Sequence, residues 1–401
     1  MSKKVIQRKK AFFLLEPDGF SIHTIELSIE LKAKEYSFRK NQLYCLQQQS
    51  DMKGWFYKDE YKRPISTLNK ARDEHKSHIC TLYKAFGIRE IRFEHNHSES
   101  KDFDTYFIRM VVNPRKLIDP QSSYIGILPP EKSSVKALKK AFAELFENTV
   151  FENNINAYRI TRVDFCTNIH CDNKKIFREL VRVLRKLPTP PKYERKLYKH
   201  KDKKKANQYN KHYLRFHCGM LDLIIYDKTY QVQECGLVIS YEKLPESVLR
   251  FEVHCERDYV RELERELGCD KTEDLLWRLI QESKSRIIKH FSWCFSDVRF
   301  VQMERIEQLI QESAFRKKNK DIMLKLATQL QRTQSVDRAL NKLEKEGIDT
   351  SGLLDRFDQL GISPIPLWKN FCAQELPGPV ELLRAMSDGE LSVEYLKVKQ
   401  K

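Results

Sequence analysis

Three stretches of the chain alternate apolar and polar residues with the two-residue period of a β-strand. They are Tyr158–Asn168, Leu221–Lys228 and Val248–Glu256. Successive side chains of a strand point to opposite faces. The first stretch is therefore predicted to bury Val163 and Phe165 and to project Arg162 and Asp164 from the other face.

The second and third stretches divide in the same way. The second sends Leu223 and Ile225 to a core and leaves Tyr226 on the other face. The third has a polar row made of Arg250, Glu252 and His254. If the three strands lie in one sheet, a tyrosine, two carboxylates and two arginines share a surface. That set of groups suits chemistry on a phosphodiester.

The remaining pattern predicts an α+β fold, in which helices pack on a largely antiparallel sheet. The 3.6-residue spacing of apolar side chains predicts amphipathic helices at Val135–Asn148 and Lys174–Lys186. Further predictions are a strand pair within 11–35 that turns at Pro17-Asp18-Gly19, a helix over Ser66–Phe86, and a hairpin of Ile88–Phe93 with Thr105–Val112.

After residue 256 the strand pattern gives way to helical periodicity. This change predicts two domains. The first is an α+β domain of residues 1–256 with its core at 106–256, and the second is a helical C-terminal domain of residues 257–401. The helices predicted at Val336–Glu346 and Gly352–Leu360 fit a helix-turn-helix or a generic helical hairpin, and the hairpin is favoured.

The charge balance points to a polyanionic partner, since 73 Lys and Arg face 56 Asp and Glu, a formal charge of +17. The densest basic segment is the predicted loop 192–215, in which tyrosines are interleaved with cations. Cations track a phosphate backbone, and rings offer stacking faces to unpaired bases. A solvated loop is the competing interpretation. The candidate DNA-binding residues are Lys196, Lys199, Lys203, Lys204, Lys205, Lys211 and Arg215.

Several other classes of protein find no support in the sequence. No P-loop, dinucleotide fingerprint, His-Glu-x-x-His motif or nucleophile elbow is present, and neither a membrane span nor a signal peptide is predicted. Ten cysteines are scattered singly, which favours reduced thiols in a cytosolic protein. A zinc site is the weaker alternative, and its ligands would be Cys166, His170, Cys171, His254 and Cys255. His95-Asn96-His97 is predicted to be a surface loop.

Cleaving a DNA strand while conserving the bond energy needs a nucleophile, a divalent cation and cationic phosphate clamps. Tyr226 is the predicted nucleophile, with Lys228 on the same side of the strand. Asp164 and Glu252 are the preferred ligands of Mg²⁺ or Mn²⁺, because a charged group in mid-strand is costly unless it is paired.

His254 is a weaker candidate ligand of the cation, and so is Glu256. Arg162 and Arg250 either clamp phosphate or neutralise the two carboxylates in a structural ion-pair network. The sequence leaves both roles open.

These same residues carry a family resemblance. Arg162-Val163-Asp164-Phe165, Ile225-Tyr226-Asp227-Lys228 and Leu249–Val253 resemble, in that order, motifs of the replication-initiation-factor family of bacterial plasmids, phages and integrative elements. The resemblance covers about 106–256. It implies a metal-dependent nick at an origin through a 5′-phosphotyrosine on Tyr226, with a cation held by Asp164 and Glu252. The long basic insertion before Tyr226 departs from compact members of the family.

The resemblance also implies the setting. The expected partners are single-stranded and duplex origin DNA in the bacterial cytoplasm. The C-terminal region has three open roles, which are to bind duplex DNA, to recruit a host helicase, or to form a homodimer. The competing hypothesis is a non-catalytic basic DNA-binding factor for replication. A tyrosine recombinase is a remote third, because its tyrosine belongs to a helical domain whereas Tyr226 is predicted on a strand.

Overall fold

The structure is a computed structural model, and it describes residues 6–49, 58–62, 75–96, 104–171, 173–237, 247–388 and 391–398. Side chains are described within 19–43, 79–96, 104–171, 173–237 and 247–385. The fold is α+β, as predicted, and described strand pairs of its main sheet, such as Ile25–Leu31 with Tyr106–Val112 and Tyr213–Cys218 with Leu221–Tyr226, are antiparallel.

The strands are β1 Ile6–Leu31, β2 Lys58–Lys62, β3 His75–Cys80, β4 Ile88–Asn96, β5 Thr105–Val112, β6 Arg159–Cys171, β7 Glu194–Lys196, β8 Tyr213–Cys218, β9 Leu221–Asp227, β10 Val248–Cys255, β11 Phe300–Val301, β12 Glu375–Leu376 and β13 Leu391–Val398. The helices are α1 Ala33–Gln49, α2 Pro114–Ile118, α3 Lys132–Phe146, α4 Lys174–Leu184, α5 Lys203–Tyr209, α6 Lys228–Glu234, α7 Arg257–Leu267, α8 Thr272–Cys294, α9 Met303–Glu312, α10 Lys317–Arg332, α11 Val336–Lys345, α12 Leu353–Gln359 and α13 Pro379–Asp388.

The described chain divides into two compact units that each combine distant parts of the sequence. The tyrosine unit, named for Tyr226, takes its described residues from 1–19, 167–253 and 284–401. The histidine unit, named for His254, takes its residues from 20–166 and 254–283. This division by compactness differs from the predicted boundary after residue 256, which was drawn where strand patterns end. The described elements between 257 and 388 are helices and the two short strands β11 and β12.

The histidine unit is a sheet covered by amphipathic helices. Its strands follow the order β2, β3, β4, β5, β1 and β6. The predicted hairpin of β4 and β5 is confirmed, since Phe93 lies opposite Ile108 in an antiparallel ladder. The predicted helix α3 is confirmed too, and it buries Leu138 and Phe142 one turn apart. The core on this side of the sheet therefore follows from the hydrophobic spacing.

The strand order of the tyrosine unit is β6, β10, β9, β8 and β7. All eight residues of β10 are buried, and so is β9 from Asp222 to Asp227. One face of β10 packs on α8, where Phe251 and Phe291 meet edge to face with ring centroids 5.3 Å apart. Because both faces of these two strands are covered, their polar side chains lie in the interior.

Four local predictions are wrong. The surface loop predicted at His95-Asn96-His97 begins within strand β4, where His95 pairs with Tyr106 and Asn96 with Thr105, while His97 lies outside the described residues. The chain passes Pro17-Asp18-Gly19 without a strand break, so the predicted strand pair is one long strand, β1. The helix predicted over Ser66–Phe86 contains strand β3 instead, and 63–74 lie outside the described residues. The predicted loop 192–215 contains β7 and α5 and the start of β8. Among the described residues, no helix combines the length and the apolarity that crossing a membrane needs.

Candidate functional site

The tyrosine unit places Tyr226 against Glu252 inside the sheet. Tyr226 comes near the end of β9 and is 5% exposed, while Glu252 is at the middle of β10 and is 7% exposed. The Tyr226 hydroxyl donates a hydrogen bond of 3.0 Å to Oε2 of Glu252. A carboxylate that accepts from a hydroxyl is placed to take its proton, which is how a weak alcohol nucleophile is activated.

Two of the predicted catalytic cations flank this pair in different ways. Nζ of Lys228 lies 5.8 Å from the centroid of the Tyr226 ring and donates to Oε1 of Gln231 at 2.8 Å. Arg250 is fully buried, and its Nε donates to Oδ1 of Asn168 at 2.7 Å. Lys228 is therefore close enough to favour the phenolate of Tyr226, whereas Arg250 is held in the interior by an amide of β6.

Strand β8 lies beside β9 and extends the polar face toward solvent. The register places Tyr213 opposite Tyr226 and His217 opposite Asp222. Asp222 is 1% exposed and accepts from both Arg215 (2.5 Å, Nη2 to Oδ2) and His217 (2.8 Å, Nδ1 to Oδ1). Two cationic or donor groups on one buried carboxylate fix the conformation of Arg215.

An open cavity of about 370 Å³ lies beside one face of β8 and the end of β7. Its lining includes three of the predicted DNA-binding residues, Lys196, Lys199 and Arg215. The aromatic ring of Tyr198 also lines it, and that ring packs on Tyr209 with centroids 4.2 Å apart. Lys203, Lys204 and Lys205 form the exposed first turn of α5, and Lys211 is exposed just after it.

The histidine unit holds the other predicted metal ligands in a closed ion-pair network. Arg162 binds both oxygens of Asp164, with Nε at 3.0 Å and Nη2 at 2.7 Å. His254 pairs with Asp164 through Nδ1 at 2.7 Å and with Glu256 through Nε2 at 2.8 Å. Burial disfavours the charged forms of Asp164 and His254, but the attraction between their opposite charges, and that between Asp164 and Arg162, outweighs this cost. The pKa of Asp164 is held well below its usual range, and that of His254 is raised.

This donor set does not fit a divalent cation. Both oxygens of Asp164 are taken by Arg162 and His254, and both nitrogens of His254 face carboxylates. A doubly protonated imidazole has no lone pair for a metal. Among the described residues, no three acidic, cysteine or histidine side chains converge as a metal site would need. The role of Asp164, Glu252 and His254 as metal ligands stays a prediction.

The structure thus sorts the predicted residues into two groups. Tyr226, Lys228, Arg250 and Glu252 belong to the tyrosine unit, and Arg162, Asp164 and His254 belong to the histidine unit. The sequence reasoning missed Asp222, and it noted Tyr213 only as one of the tyrosines interleaved in the basic segment, without placing it beside Tyr226. Asp222 could have been found, because it is a charged residue between Leu221 and Leu223 in a strand, which is the criterion that singled out Asp164. Tyr213 gave no comparable signal, since only strand pairing reveals its position.

Comparisons with known proteins add no family. No family model matches the chain, and no curated protein does. Among solved structures, it is similar to the RNA triphosphatase Pct1 of S. pombe at 9% identity, over 71% of this chain and 84% of that one, with a TM-score of 0.10. A score this low carries no argument about fold or function. The chain's own motifs remain the basis of the family resemblance.

Proposed function

We propose that the protein is a DNA strand transesterase, the replication initiator of a bacterial mobile element, and that Tyr226 is its nucleophile. The observation that carries the proposal is the buried hydrogen bond from the Tyr226 hydroxyl to Glu252. The order of the three motifs and the basic segment beside β9 support it. The proposal includes an origin, as single strand and duplex, as the DNA substrate and the bacterial cytoplasm as the setting.

The reaction needs few groups from the protein. Glu252 takes the phenolic proton as the Tyr226 oxygen attacks phosphorus, and the bond from phosphorus to the 3′ oxygen breaks. The 3′ oxygen takes a proton from water and leaves as a hydroxyl, Glu252 returns the phenolic proton to that water, and the 5′ phosphate stays on the tyrosine. Attack by a 3′ hydroxyl reverses the steps and reseals the strand. Lys228 favours the phenolate because its ammonium lies 5.8 Å from the ring centroid.

The remaining features of the proposal come from the resemblance. A divalent cation, Mg²⁺ or Mn²⁺, belongs to the proposal, although the donor atoms of Asp164 and His254 are occupied by protein partners. Phosphate clamping by Arg162 and Arg250 is likewise a proposal. A host helicase or a second copy of the chain is a further proposed partner.

Substitution of Tyr226 tests the proposal. Wild-type protein is incubated with single-stranded DNA from the host element and Mn²⁺, with EDTA as a parallel sample, and protein–DNA adducts are separated on a denaturing gel. Tyr226→Phe should abolish the adduct and leave binding nearly intact. Glu252→Gln should slow adduct formation about 10²–10⁴-fold, the usual contribution of a general base.

The matched control is Tyr230→Phe, since Tyr230 is a nearby tyrosine whose backbone N–H donates to Asp227. It should form adduct at the wild-type rate. Adduct that persists in Tyr226→Phe, or that maps to another residue, would refute the assignment of the nucleophile.

A non-catalytic DNA-binding factor is the second candidate, and the closed network around His254 favours it. Asp164 is neutralised by Arg162 and His254, which is what a structural ion-pair network looks like. A pure binder would retain DNA on a native gel, show no adduct with either cation, and respond to salt but not to EDTA. Those results together would replace the enzyme proposal.

A further inference from the structure

One buried carboxylate orients two side chains at the open cavity of the tyrosine unit. Asp222 accepts from Nη2 of Arg215 at 2.5 Å and from Nδ1 of His217 at 2.8 Å, one bond on each of its oxygens. Arg215 and His217 are two residues apart on β8, so they lie on the same face of that strand. Both line the cavity, where 38% and 36% of their side chains are exposed. The pair is therefore anchored from the interior and accessible from the cavity.

The bond to Asp222 decides which nitrogen of His217 carries a proton. A carboxylate only accepts hydrogen bonds, so the Nδ1 atom that faces it is protonated in the neutral ring as well as in the charged ring. In the neutral ring Nε2 then has a lone pair, whereas in the imidazolium it has an N–H. Phosphate oxygens are acceptors. His217 therefore binds a phosphate through Nε2 only when the ring is charged.

The charged groups around His217 come from β7, β8, β9 and the residues that follow β7. They are Glu194, Lys196, Lys199, Arg215 and Asp222. Glu194 lies opposite His217, and the hydrogen bond from Lys196 lowers the pKa of Glu194, which keeps it ionised. Three cations against two carboxylates leave a positive surplus, which attracts a phosphate and opposes a proton on His217 until the phosphate arrives. Among the side-chain types of the lining, which also includes Tyr198 and Tyr213, histidine is the one that titrates between pH 5 and 8.

We propose that Arg215 and His217 form a phosphate-binding pair positioned by Asp222, and that a DNA strand takes up to one proton from solution onto Nε2 of His217 when it binds. Linkage is reciprocal, so protonation strengthens binding of the strand by the same factor by which the strand strengthens protonation. The inference rests on the proposed function only in naming a DNA strand as the source of the phosphate. A strand bound without cleavage would take up the same proton.

The pH dependence of binding tests the pair. A labelled oligothymidylate is titrated with protein in EDTA at constant ionic strength, and fluorescence anisotropy gives the affinity at about pH 5.5 and about pH 8. Thymine and the phosphodiester keep their charge over this range, so the probe itself does not titrate. The wild type should bind about fivefold or more tightly at the lower pH. His217→Gln should bind at both values about as the wild type does at pH 8, and His217→Lys, which keeps a permanent charge, should bind tightly at both.

His212→Gln is the matched control. His212 also donates through Nδ1 to a carboxylate, that of Asp227 at 3.1 Å, and its side chain is 29% exposed. It belongs to the same unit but is not among the residues that line the cavity. His212→Gln should therefore keep the wild-type response to pH.

Calorimetry counts the proton directly. Binding of the oligothymidylate is measured at one pH in two buffers with different enthalpies of ionisation, and the difference in heat gives the protons taken up per strand. The wild type and His212→Gln should take up the same positive number. His217→Gln and His217→Lys should both take up less, because neither side chain gains a proton in this range.

Equal proton uptake and an equal pH response in wild type and His217→Gln would overturn the inference. So would a response that His212→Gln reduces as much as His217→Gln does, because the effect would then follow the total charge of the protein. Absence of binding to the oligothymidylate at both pH values would overturn it as well. The proposed function fails separately: a missing covalent adduct refutes the transesterase, whereas binding in EDTA requires no cleavage and leaves the proton count standing.

Discussion

The imidazole ring of His254 lies between the carboxylates of Asp164 and Glu256, and it keeps the first of them ionised inside the protein. Asp164 is 1% exposed, so its charge needs partners, and Arg162 binds both of its oxygens. His254 adds a second partner through a hydrogen bond of 2.7 Å between Nδ1 and Oδ1 of Asp164. Burial of the ring opposes its charge, but the two carboxylates raise its pKa to about 10. The ring is thus charged at neutral pH.

The stability of the protein should depend on this charge. Because the pKa of His254 is raised from 6.5 to about 10 on folding, its contribution is complete below about pH 6.5 and is lost as pH rises through about 10. The lowered pKa of Asp164 works in the opposite direction, and its contribution is lost only as pH falls below about 4. His254→Gln should lower the free energy of unfolding at pH 6 by about 3–5 kcal/mol, since it leaves a buried charge partly unmatched.

Denaturant unfolding between pH 5 and pH 10 checks this. The difference between wild type and His254→Gln should shrink as pH rises above 6.5. Glu256→Gln is the control: its carboxylate is 55% exposed, so the loss should be below about 1 kcal/mol. A difference that stays constant up to pH 10 would show that the charge of His254 is not what stabilises the fold.

At the scale of residues, the sequence identified buried charge but, apart from Arg162 beside Asp164, not its partners. Asp164, Arg250 and Glu252 were singled out as charged positions in apolar strands, and all three are buried. Their partners, which are His254, Asn168 and Tyr226 in turn, are separated from them in sequence by 90, 82 and 26 residues. Alternation fixes the face of a strand on which a residue lies. It does not fix which strands pair, and pairing decides the partner.

At the scale of elements, the basic segment is held in shape by one asparagine. Asn210 accepts from the backbone N–H of Tyr198 at 2.8 Å, and its side-chain amide donates to the carbonyl of Tyr198 at 3.0 Å. These two bonds join the chain after β7 to the end of α5. They also place the ring of Tyr198 in the cavity, where a base can stack on it.

Removal of the two hydrogen bonds between Asn210 and Tyr198, the Asn210 clamp, should loosen the basic segment without unfolding the units. Asn210→Ala should increase tryptic cleavage at Lys199 and Lys201 several-fold, because limited proteolysis follows local opening. Asn210→Asp keeps an acceptor for the N–H of Tyr198 and loses only the donor. Its cleavage rate should therefore fall between that of the wild type and that of Asn210→Ala. Peptide mass spectrometry of timed digests provides the rates. Equal rates in all three proteins would show that the clamp does not order the segment.

The elements that the sequence predicted correctly have a strong apolar period, and in one helix a local cap adds to it. Helix α4 is an example: its apolar stripe is buried, and Asn173 caps it by accepting from the N–H groups of Lys175 and Ile176. Helix α1 was missed because its apolar residues do not fall on one side. The helix predicted over Ser66–Phe86 failed because His75 and His78 were counted in its stripe, whereas both lie in strand β3, paired with β2 and β4.

At the scale of the whole molecule, charge and compactness follow different divisions of the chain. The net charge of +17 is a property of the complete sequence, whereas the candidate DNA-binding cations are concentrated in one segment of the tyrosine unit. The sequence predicted that concentration directly, because the charged residues of a segment can be counted without knowledge of the fold. It did not predict the two units, since each is assembled from segments that are distant along the chain. Long-range pairing of this kind leaves no periodic signal.

The salt dependence of DNA binding separates local charge from net charge. Each phosphate neutralised on a single strand contributes about −0.7 to the slope of log affinity against log salt concentration. Replacement of the exposed Lys203, Lys204 and Lys205 by glutamine should therefore make the slope shallower by about 2 if all three contact phosphates. The measurement is fluorescence anisotropy of a labelled single-stranded oligonucleotide over a series of salt concentrations.

The matched variant replaces three lysines of α10, Lys317, Lys318 and Lys320, and it removes the same amount of charge from the helical region. If the basic segment binds the strand, this second variant should keep the wild-type slope, because exposed charges farther than a Debye length of about 8–10 Å from the strand are screened. Equal changes of slope in both variants would mean that the strand is attracted by the net charge and has no path along β7 and β8. A change in the α10 variant alone would move the strand site to the helical region and would leave the cavity beside Tyr213 without a substrate.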